Sequence, residues 1–370
     1  MRDMGNNTEL VKRMRRKTLR GNLLNYVIVL GAYAILQTMV MTGTISSLLK
    51  GLLVPLCVYV IAALSLNLVV GISGELSLGH AGFMCVGAYS SAFFSNAVGT
   101  ALPDILRFIL AIFVGAAVAG LFGILIGIPV LRLKGDYLAI VTLAFGEIIK
   151  NLLNVLYAGI DSNGLHFSTK SAMDLGMEPT GRQIIKGALG ISGTPKNSTF
   201  TVGIILILIT LMVVQNLINS RAGRAIMSTR DNRIAAESIG IPVTKYKLLA
   251  FSISASLAGC AGVLYAHNLA TLNTKKFDYN TSILILVFVV LGGIGNLTGS
   301  IIAAVILTAL PEMLRFLNNY RMLIYAIVLI VIMLFNWAPA ALDMRSRLRS
   351  RIFKNRGSGN GKEEEQNGNA

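Results

Sequence analysis

The sequence predicts an all-α membrane protein, a polytopic transmembrane helical bundle of about ten spans with one broken or re-entrant segment. Of its 370 residues, 54% are hydrophobic and 14% are charged, and the mean hydropathy is +0.68. The apolar residues fall in runs of about 20, the length that carries an α-helix across a hydrocarbon core of roughly 30 Å. Helices satisfy their backbone hydrogen bonds internally, so they are the structure that such runs favour.

Ten apolar runs predict the spans. The first follows a basic stretch, but it is longer than a secretory signal core and no small-residue cleavage site follows it, which indicates an uncleaved helix. The eighth is short and runs into a glycine-rich stretch at 292–296, where a broken or re-entrant segment is the alternative. The predicted spans are 22–42, 51–70, 78–98, 105–131, 137–158, 199–219, 248–267, 281–291, 300–317 and 321–337.

Lysine and arginine orient the predicted bundle, because short cytoplasmic loops carry an excess of positive charge. With the N-terminus inside, the segments 1–21, 132–136, 220–247 and 338–370 hold 22 of the 33 basic residues. Both termini are therefore expected in the cytoplasm. The net charge of +16 lies in blocks between apolar runs, so it indicates membrane topology rather than nucleic-acid binding.

Three parts follow from this topology. Residues 1–21 form a basic cytoplasmic segment, 22–340 form the transmembrane domain, and 341–370 form a cytoplasmic tail that is basic and then disordered. The basic part of the tail, at 345–356, is expected to contact anionic membrane lipid. Within the transmembrane domain, the external segment 159–198 is too long for a simple connection.

The chain lacks the motifs of common catalytic and nucleotide-binding sites. It contains no GxxxxGK[ST] loop, no HExxH and no CxxC, and its three histidines have no metal-like partner nearby in sequence. Cys57, Cys85 and Cys260 lie in apolar segments and predict neither a disulfide nor a metal site. We therefore expect no catalytic residue, no bound metal and no ATP hydrolysis by this chain alone.

Three polar features interrupt the apolar sequence. In 71–82 (GISGELSLGHAG), the polar groups indicate either a helix broken along a transport pathway or an ordinary turn between two spans. Glu147 lies three residues before Lys150 on the same helix face, so it is either half of an ion pair or a carboxylate of the pathway. The polar loop 220–247, with a helix-like stretch that ends at Gly240, is either a partner-docking loop or a solvated basic loop.

Several ordered blocks of sequence carry a family resemblance that spans about residues 50–340. The blocks are 66–71 (LNLVVG) leading into 76–83 (LSLGHAGF), 135–145 (GDYLAIVTLAF), 163–165 (NGL), and 235–240 (AAESIG) followed by 246–251 (YKLLAF). In these blocks the chain resembles the LivM-type permease subunits of branched-chain amino-acid ABC importers.

The resemblance implies a permease subunit of an ATP-driven importer in a prokaryotic inner or plasma membrane. Its expected partners are a second related permease, two cytoplasmic ATPase subunits and an extracytoplasmic solute-binding protein. ATP and Mg would be bound by the ATPases, and no cofactor is expected on this chain. Leucine, isoleucine and valine are the expected solutes.

The resemblance also assigns candidate residues. In importer permeases a coupling motif, E-A-A-x-x-x-G, docks the ATPase, and here Ile234 replaces its glutamate, so the contact of that glutamate is not carried over. The translocation-path candidates are Asn67, Glu75, Ser77, His80, Thr142 and Glu147. The candidates in the ATPase-coupling loop are Arg224, Arg230, Ala235, Ala236, Glu237, Gly240 and Tyr246.

Other functions stay open at this point. An ABC permease could carry urea, amides, a sugar or a nucleoside instead. An autonomous secondary transporter or channel would need intramembrane charges organised for ion coupling, and Glu75 and Glu147 are the few that the sequence offers. A scaffold or receptor without transport activity would need large soluble domains, which the sequence does not predict.

Overall fold

The structure is a computed structural model. It describes residues 23–44, 46–99, 101–133, 135–162, 164–171, 173–178, 181–315 and 320–337. The predicted N-terminal segment 1–21 and the tail 341–370 lie outside the described residues. One compact unit ends at Ala309 and a second begins at Leu310, and each is described by itself.

Helices dominate the described residues, and the ten predicted spans each coincide with one helix to within a few residues. Two further helices, α7 and α8, lie in the predicted coupling loop. The helices are α1 Leu23–Met41, α2 Ser47–Asn67, α3 His80–Val98, α4 Asp104–Val130, α5 Asp136–Val155, α6 Phe200–Asn219, α7 Arg221–Asp231, α8 Arg233–Ser238, α9 Val243–Ala266, α10 Tyr279–Gly292, α11 Leu297–Met313 and α12 Arg321–Trp337.

Not all of these helices are long and apolar enough to cross a membrane alone. Within the described residues six are, namely α1, α2, α4, α5, α6 and α9. Helix α3 has 19 residues but is less apolar, α10 has 14, and α11 and α12 have 17 each. The prediction of a polytopic helical membrane protein is confirmed, and the eighth predicted span is the shortest of the ten helices.

Polar side chains fix where several helices begin. Thr199 accepts a hydrogen bond from the backbone N–H of Val202 at the start of α6. Asp278 does the same for Thr281 at the start of α10, with a distance of 3.0 Å. An N-terminal cap of this kind satisfies a backbone donor that the helix itself leaves unpaired.

Helix α9 lies at the centre of the first unit, packed against α2, α3 and α4. Its contact with α3 depends on small residues, since a Cβ atom added to Gly87 would lie 2.5 Å from the Cα atom of Gly259. Membrane helices associate closely where such residues let their backbones approach. The backbones of α3 and α9 are therefore in direct contact where the two helices cross.

A small antiparallel sheet occupies most of the predicted external segment 159–198. Its spatial order is β2-β1-β3-β4-β5, and Tyr157 pairs with Ser168 while Asp161 pairs with Gly164. The fifth strand follows α9 and joins the sheet through Ile191 and Leu272. The strands are β1 Tyr157–Asp161, β2 Gly164–Ser168, β3 Arg182–Lys186, β4 Ile191–Ser192 and β5 Thr271–Leu272.

The sheet and the α7–α8 loop lie at opposite ends of α6. The helix begins next to the sheet at Phe200 and reaches α7 at Asn219, a length of about 30 Å at 1.5 Å per residue. We call these the sheet end and the α7–α8 end of the first unit. In the second unit, α12 is a separate apolar helix of 17 residues.

Candidate functional site

The junction between α2 and α3 is a break in the helical structure inside the bundle. Helix α2 continues as a π-helical turn, Leu68–Ser73, whose residues are all buried. Gly74 then adopts a positive φ of 74°, and the chain is non-helical until α3 begins at His80. Ser77 and His80 are buried as well. Gly74 and Leu76, between Ser73 and Ser77, are exposed, so the break is buried at both of its ends and open to the surface in its middle.

Asn67, at the end of α2, connects this break to the turn between α10 and α11. Its Nδ2 donates to the hydroxyl of Ser300 at 2.8 Å, and its Oδ1 accepts from the backbone N–H of Gly295 at 2.9 Å. In the stretch 292–299, where the sequence left a re-entrant segment open, residues 293–296 form a tight turn between α10 and α11, and Gly293 and Gly295 have positive φ. A Cβ atom added to Gly71 would lie 2.5 Å from the nitrogen of Gly295, so this close contact requires a glycine at position 71.

Helices α5 and α10 both hold the start of α3. Thr142 of α5 accepts a hydrogen bond from the backbone N–H of Leu78 at 3.0 Å. Ser282 of α10 accepts one from the backbone N–H of Ala81, also at 3.0 Å. The predicted residue Thr142 therefore contacts the break directly, although it lies 64 positions away in sequence.

His80 is hydrogen-bonded to α9. Its Nε2 lies 3.0 Å from the hydroxyl of Ser254, and that hydroxyl donates its hydrogen to the carbonyl of Ser65. The hydroxyl must then accept from His80, so Nε2 carries the proton and Nδ1 is left as an acceptor. Among the described residues, Nδ1 has no hydrogen-bond partner, and neither do the hydroxyls of Ser73 and Ser77.

Glu147 and Lys150 form an ion pair on α5, as one of the two interpretations of the sequence predicted. Both side chains are partly buried. Glu147 also accepts a hydrogen bond at 3.0 Å from the backbone N–H of Tyr279, the first residue of α10. Glu147 lies about 16 Å along α5 from its start, near the middle of a hydrocarbon core of roughly 30 Å.

Helix α10 begins at the depth of Glu147. Its 14 residues extend about 21 Å, which is less than the roughly 30 Å of a full crossing. Tyr279 and Asn280 at its start are exposed, next to the ion pair of α5 and the capping carboxylate of Asp278. The start of α10 therefore adds polar groups to Glu147 at a depth where apolar side chains are the rule.

The predicted coupling loop is folded. Ser220 caps α7 and Asn232 caps α8 through the backbone N–H of Ala235, and Gly240, with φ of 82°, follows the end of α8. Ala236 is buried on the inner side of α8, and Glu237 pairs with Arg233 on the outer surface of the same helix. Arg224 donates to the carbonyl of Asn219.

Two residues of the coupling loop contact the break between α2 and α3. Arg230 of α7 donates a hydrogen bond to the carbonyl of Gly71. Tyr246 of α9 packs against a buried cluster formed by Leu68, Ile72, Ile226 and Ala250. The coupling loop therefore contacts the π-helical turn that lies between the predicted path residues Asn67 and Glu75. Ile234 on α8 and Ile239 directly after it face outward, with 77% and 74% of their surface exposed.

Sequence reasoning missed several residues of this region. Lys247 pairs with Glu75, and Ser254, Ser282 and Ser300 are the partners of His80, Ala81 and Asn67. The signal that was present is a serine inside an otherwise apolar span, because such hydroxyls commonly hydrogen-bond between membrane helices. Among the described residues, no three His, Cys, Asp or Glu side chains lie close enough to hold a metal ion.

Comparison with known proteins identifies similar sequences. A profile of the family described as "Branched-chain amino acid transport system / permease component" matches residues 48–333. The high-affinity branched-chain amino acid transport system permease protein LivM of Salmonella typhimurium is 36% identical over 317 residues, 82% of this chain and 71% of that protein. LivM of Escherichia coli is 36% identical over 299 residues, 77% of this chain and 67% of that protein.

A sugar permease is a weaker match. The fructose import permease protein FruG of Bifidobacterium longum is 26% identical over 138 residues, which cover 35% of this chain and 41% of that protein. No solved structure matches this chain.

Proposed function

Since the chain belongs to the family of branched-chain amino acid transport system permease components, we propose that it is the membrane-spanning permease subunit of an ATP-driven, binding-protein-dependent importer. Its substrates are leucine, isoleucine and valine. The observation that carries this proposal is the 36% identity to LivM of Salmonella typhimurium over 82% of the chain. The fructose permease matches a third of the chain at lower identity, so it supports the sugar alternative much less.

The partners in this proposal are a second related permease, two cytoplasmic ATPase subunits and an external solute-binding protein. ATP and Mg belong to the ATPases. The exposed Ile234 and Ile239 support α8 as the docking element, because large apolar side chains exposed on a water-facing helix are typical of a partner contact. An apolar contact of Ile234 takes the place of the glutamate contact that the family motif describes.

The topology in this proposal places the α7–α8 end and both termini in the cytoplasm. The excess of basic residues at this end supports it. The contacts between connecting segments agree with ten alternating spans, because Glu75 pairs with Lys247 at the α7–α8 end and Ile191 pairs with Leu272 at the sheet end. Each contact joins segments that the alternation assigns to the same side of the membrane.

The translocation path in this proposal follows the predicted residues. Asn67, His80 and Thr142 hold the break between α2 and α3 through hydrogen bonds, Ser77 lies within the break, and Glu147 lies beside the exposed start of α10. The two ionisable residues, His80 and Glu147, support a pathway, because ionisable side chains at membrane depth are costly unless they face a polar cavity or a partner.

The sheet end is the docking surface for the solute-binding protein in this proposal. Strand β2 is an edge strand and exposes Leu165 and Phe167. Exposed apolar side chains on an unpaired strand edge favour a protein partner. Replacing both with serine should weaken binding of the solute-binding protein, and unchanged affinity would contradict this assignment.

The experiment that tests the function is uptake of radiolabelled leucine into proteoliposomes. The vesicles contain this chain, the permease encoded beside it, the ATPases and the binding protein, with urea, ribose and fructose as comparison solutes. Leucine uptake that requires ATP is the expected result. ATP-dependent uptake of another solute instead would change the substrate, and flux through this chain alone without ATP would assign it to channels or secondary transporters.

A further inference from the structure

We propose that Glu75 and Lys247 are a positioning pair that transmits movement of the α7–α8 loop to the break between α2 and α3, and through it to His80. We call residues 71–79 the linking segment. This inference rests on the proposed function, because it concerns how ATP hydrolysis by the partner subunits is coupled to transport. It gives Lys247, which the sequence analysis did not single out, a function in coupling. It also gives Glu75, a translocation-path candidate, a specific function as the partner of Lys247.

The first step is the contact between α7 and the beginning of the linking segment. Ile226 of α7 is fully buried against Leu68 and Ile72 of the π-helical turn. Arg230 of α7 donates a hydrogen bond to the carbonyl of Gly71. A displacement of α7 must therefore move the π-helical turn with it.

Gly74 makes this contact close. A Cβ atom at this position would lie 2.7 Å from Cγ of Arg230, and the φ of Gly74 is positive. A glycine is required here on both grounds, since other residues would clash with the arginine and strain the backbone. Arg230 is thus packed on one residue of the linking segment and hydrogen-bonded to another.

The second step is the ion pair itself. Glu75 and Lys247 are 172 positions apart, whereas the ion pairs of Glu147, Glu237 and Glu312 join residues within one turn of each other. The two side chains are only 13% and 12% exposed, so removing one charge leaves the other poorly solvated. The pair attaches the linking segment to the first turns of α9, directly after the coupling loop.

The third step is the far end of the linking segment. Leu78 is hydrogen-bonded to Thr142 of α5, and His80 to Ser254 of α9. A Cβ atom added to Gly82 would lie 2.7 Å from the Cα atom of Gly146, the residue before Glu147. A shift of the linking segment therefore reaches the Glu147–Lys150 ion pair on α5 through direct contacts.

The fourth step is the incomplete hydrogen bonding of the segment. The hydroxyls of Ser73 and Ser77 and Nδ1 of His80 are buried without a hydrogen-bond partner among the described residues. Buried polar atoms without partners are costly and uncommon in folded proteins. Three of them within eight residues favour a second arrangement of this segment, in which they reach water or other polar groups during the transport cycle.

Charge reversal tests the proposal in the assembled importer. The variants are Glu75→Lys, Lys247→Glu and the double reversal, with Glu312→Lys as a control in an ion pair whose partner, Arg315, lies only three residues further along the chain. The quantity measured is the amount of leucine taken up per ATP hydrolysed, together with the amount of assembled complex. A residue that only stabilised the fold would lower assembly and leave this ratio unchanged.

The expected result is a ratio that falls about tenfold or more in each single reversal, since each leaves like charges facing one another. ATP hydrolysis continues, and the double reversal and Glu312→Lys keep a ratio close to that of the wild type. Single variants that keep the wild-type ratio, or an assembled double variant that does not recover it, would overturn the inference.

A neutral variant covers the case in which a reversed charge prevents assembly. Glu75→Gln keeps the size and hydrogen-bonding capacity of the side chain and should also lower the ratio. A wild-type ratio in this variant overturns the inference while leaving the proposed function intact. A wild-type importer that takes up no solute in response to ATP overturns both.

Discussion

Asn67 and Ser300 are hydrogen-bonded at 2.8 Å although 233 positions separate them. The same Asn67 side chain accepts from the backbone of Gly295, so one buried amide holds α2 to the turn before α11. Replacing Asn67 with alanine should lower the free energy of unfolding by about 1–3 kcal/mol, because it removes the buried bond to Ser300 and leaves the partly buried N–H of Gly295 without its acceptor. Thermal unfolding in detergent measures this. The exposed Asn151 supplies the control, and an equal loss in Asn151→Ala would contradict the explanation.

The close contact between α3 and α9 gives a second prediction. Gly87→Ala should destabilise the chain by about 1–3 kcal/mol, because the added methyl group meets the backbone of Gly259 in a fully packed core. Gly31 in α1 has nothing within 4 Å of an added Cβ atom, so Gly31→Ala should not destabilise. Thermal unfolding of both variants checks this, and similar melting temperatures would refute the packing argument.

Uptake should separate the two interpretations of Glu147. Glu147→Gln is expected to lower leucine uptake about tenfold, because the proposed path includes this carboxylate at membrane depth. The double variant Glu147→Gln with Lys150→Met removes both charges, so it no longer leaves Lys150 unpaired. We expect its uptake to stay low. Recovery of uptake in the double variant would mean that the two residues serve only as a structural ion pair.

Replacing the exposed Ile234 on α8, or Ile239 directly after it, should weaken partner binding without affecting the fold. Ile234→Ser and Ile239→Ser are expected to reduce co-purification of the ATPase subunits, while the free energy of unfolding changes by no more than about 0.5 kcal/mol. Ile105 in α4 is exposed to the same 77% as Ile234 but lies at the other end of the bundle. Ile105→Ser should therefore retain the ATPases, and loss of the ATPases in this control would contradict a specific docking contact.

Hydropathy predicted the helices well because each span is a local property of about 20 consecutive residues. The end of α8 just before Gly240 was predicted for the same reason, since a glycine stop is a local signal. The sheet was not predicted: its strands have two to five residues, and β5 lies about 80 positions after β4 in sequence. Short strands without sustained alternation give little periodic signal.

The contacts that define the site were likewise predicted only where a local sequence pattern indicates them. The polar residues at 71–82 indicated a break, but sequence alone left an ordinary turn equally possible. Nothing in the sequence distinguishes Lys247, which lies near the start of α9, and only the fold shows that it pairs with Glu75. The partners of Asn67, Thr142 and His80 lie between 64 and 233 positions away. Pairings at such separations depend on how the helices pack, which no local pattern in one sequence specifies.

Helix α10 is shorter than the hydrocarbon core is thick, so it covers only part of the membrane. Its first residue, Tyr279, follows the charged Asp278 and contacts Glu147, and the helix extends about 21 Å of a hydrocarbon core of roughly 30 Å. A solute that follows the proposed path from the sheet end thus meets hydrogen-bonding groups at the depth of Glu147, about halfway across the bilayer. The apolar part of the proposed path, which the importer must open for the solute, is therefore shorter than the membrane is thick.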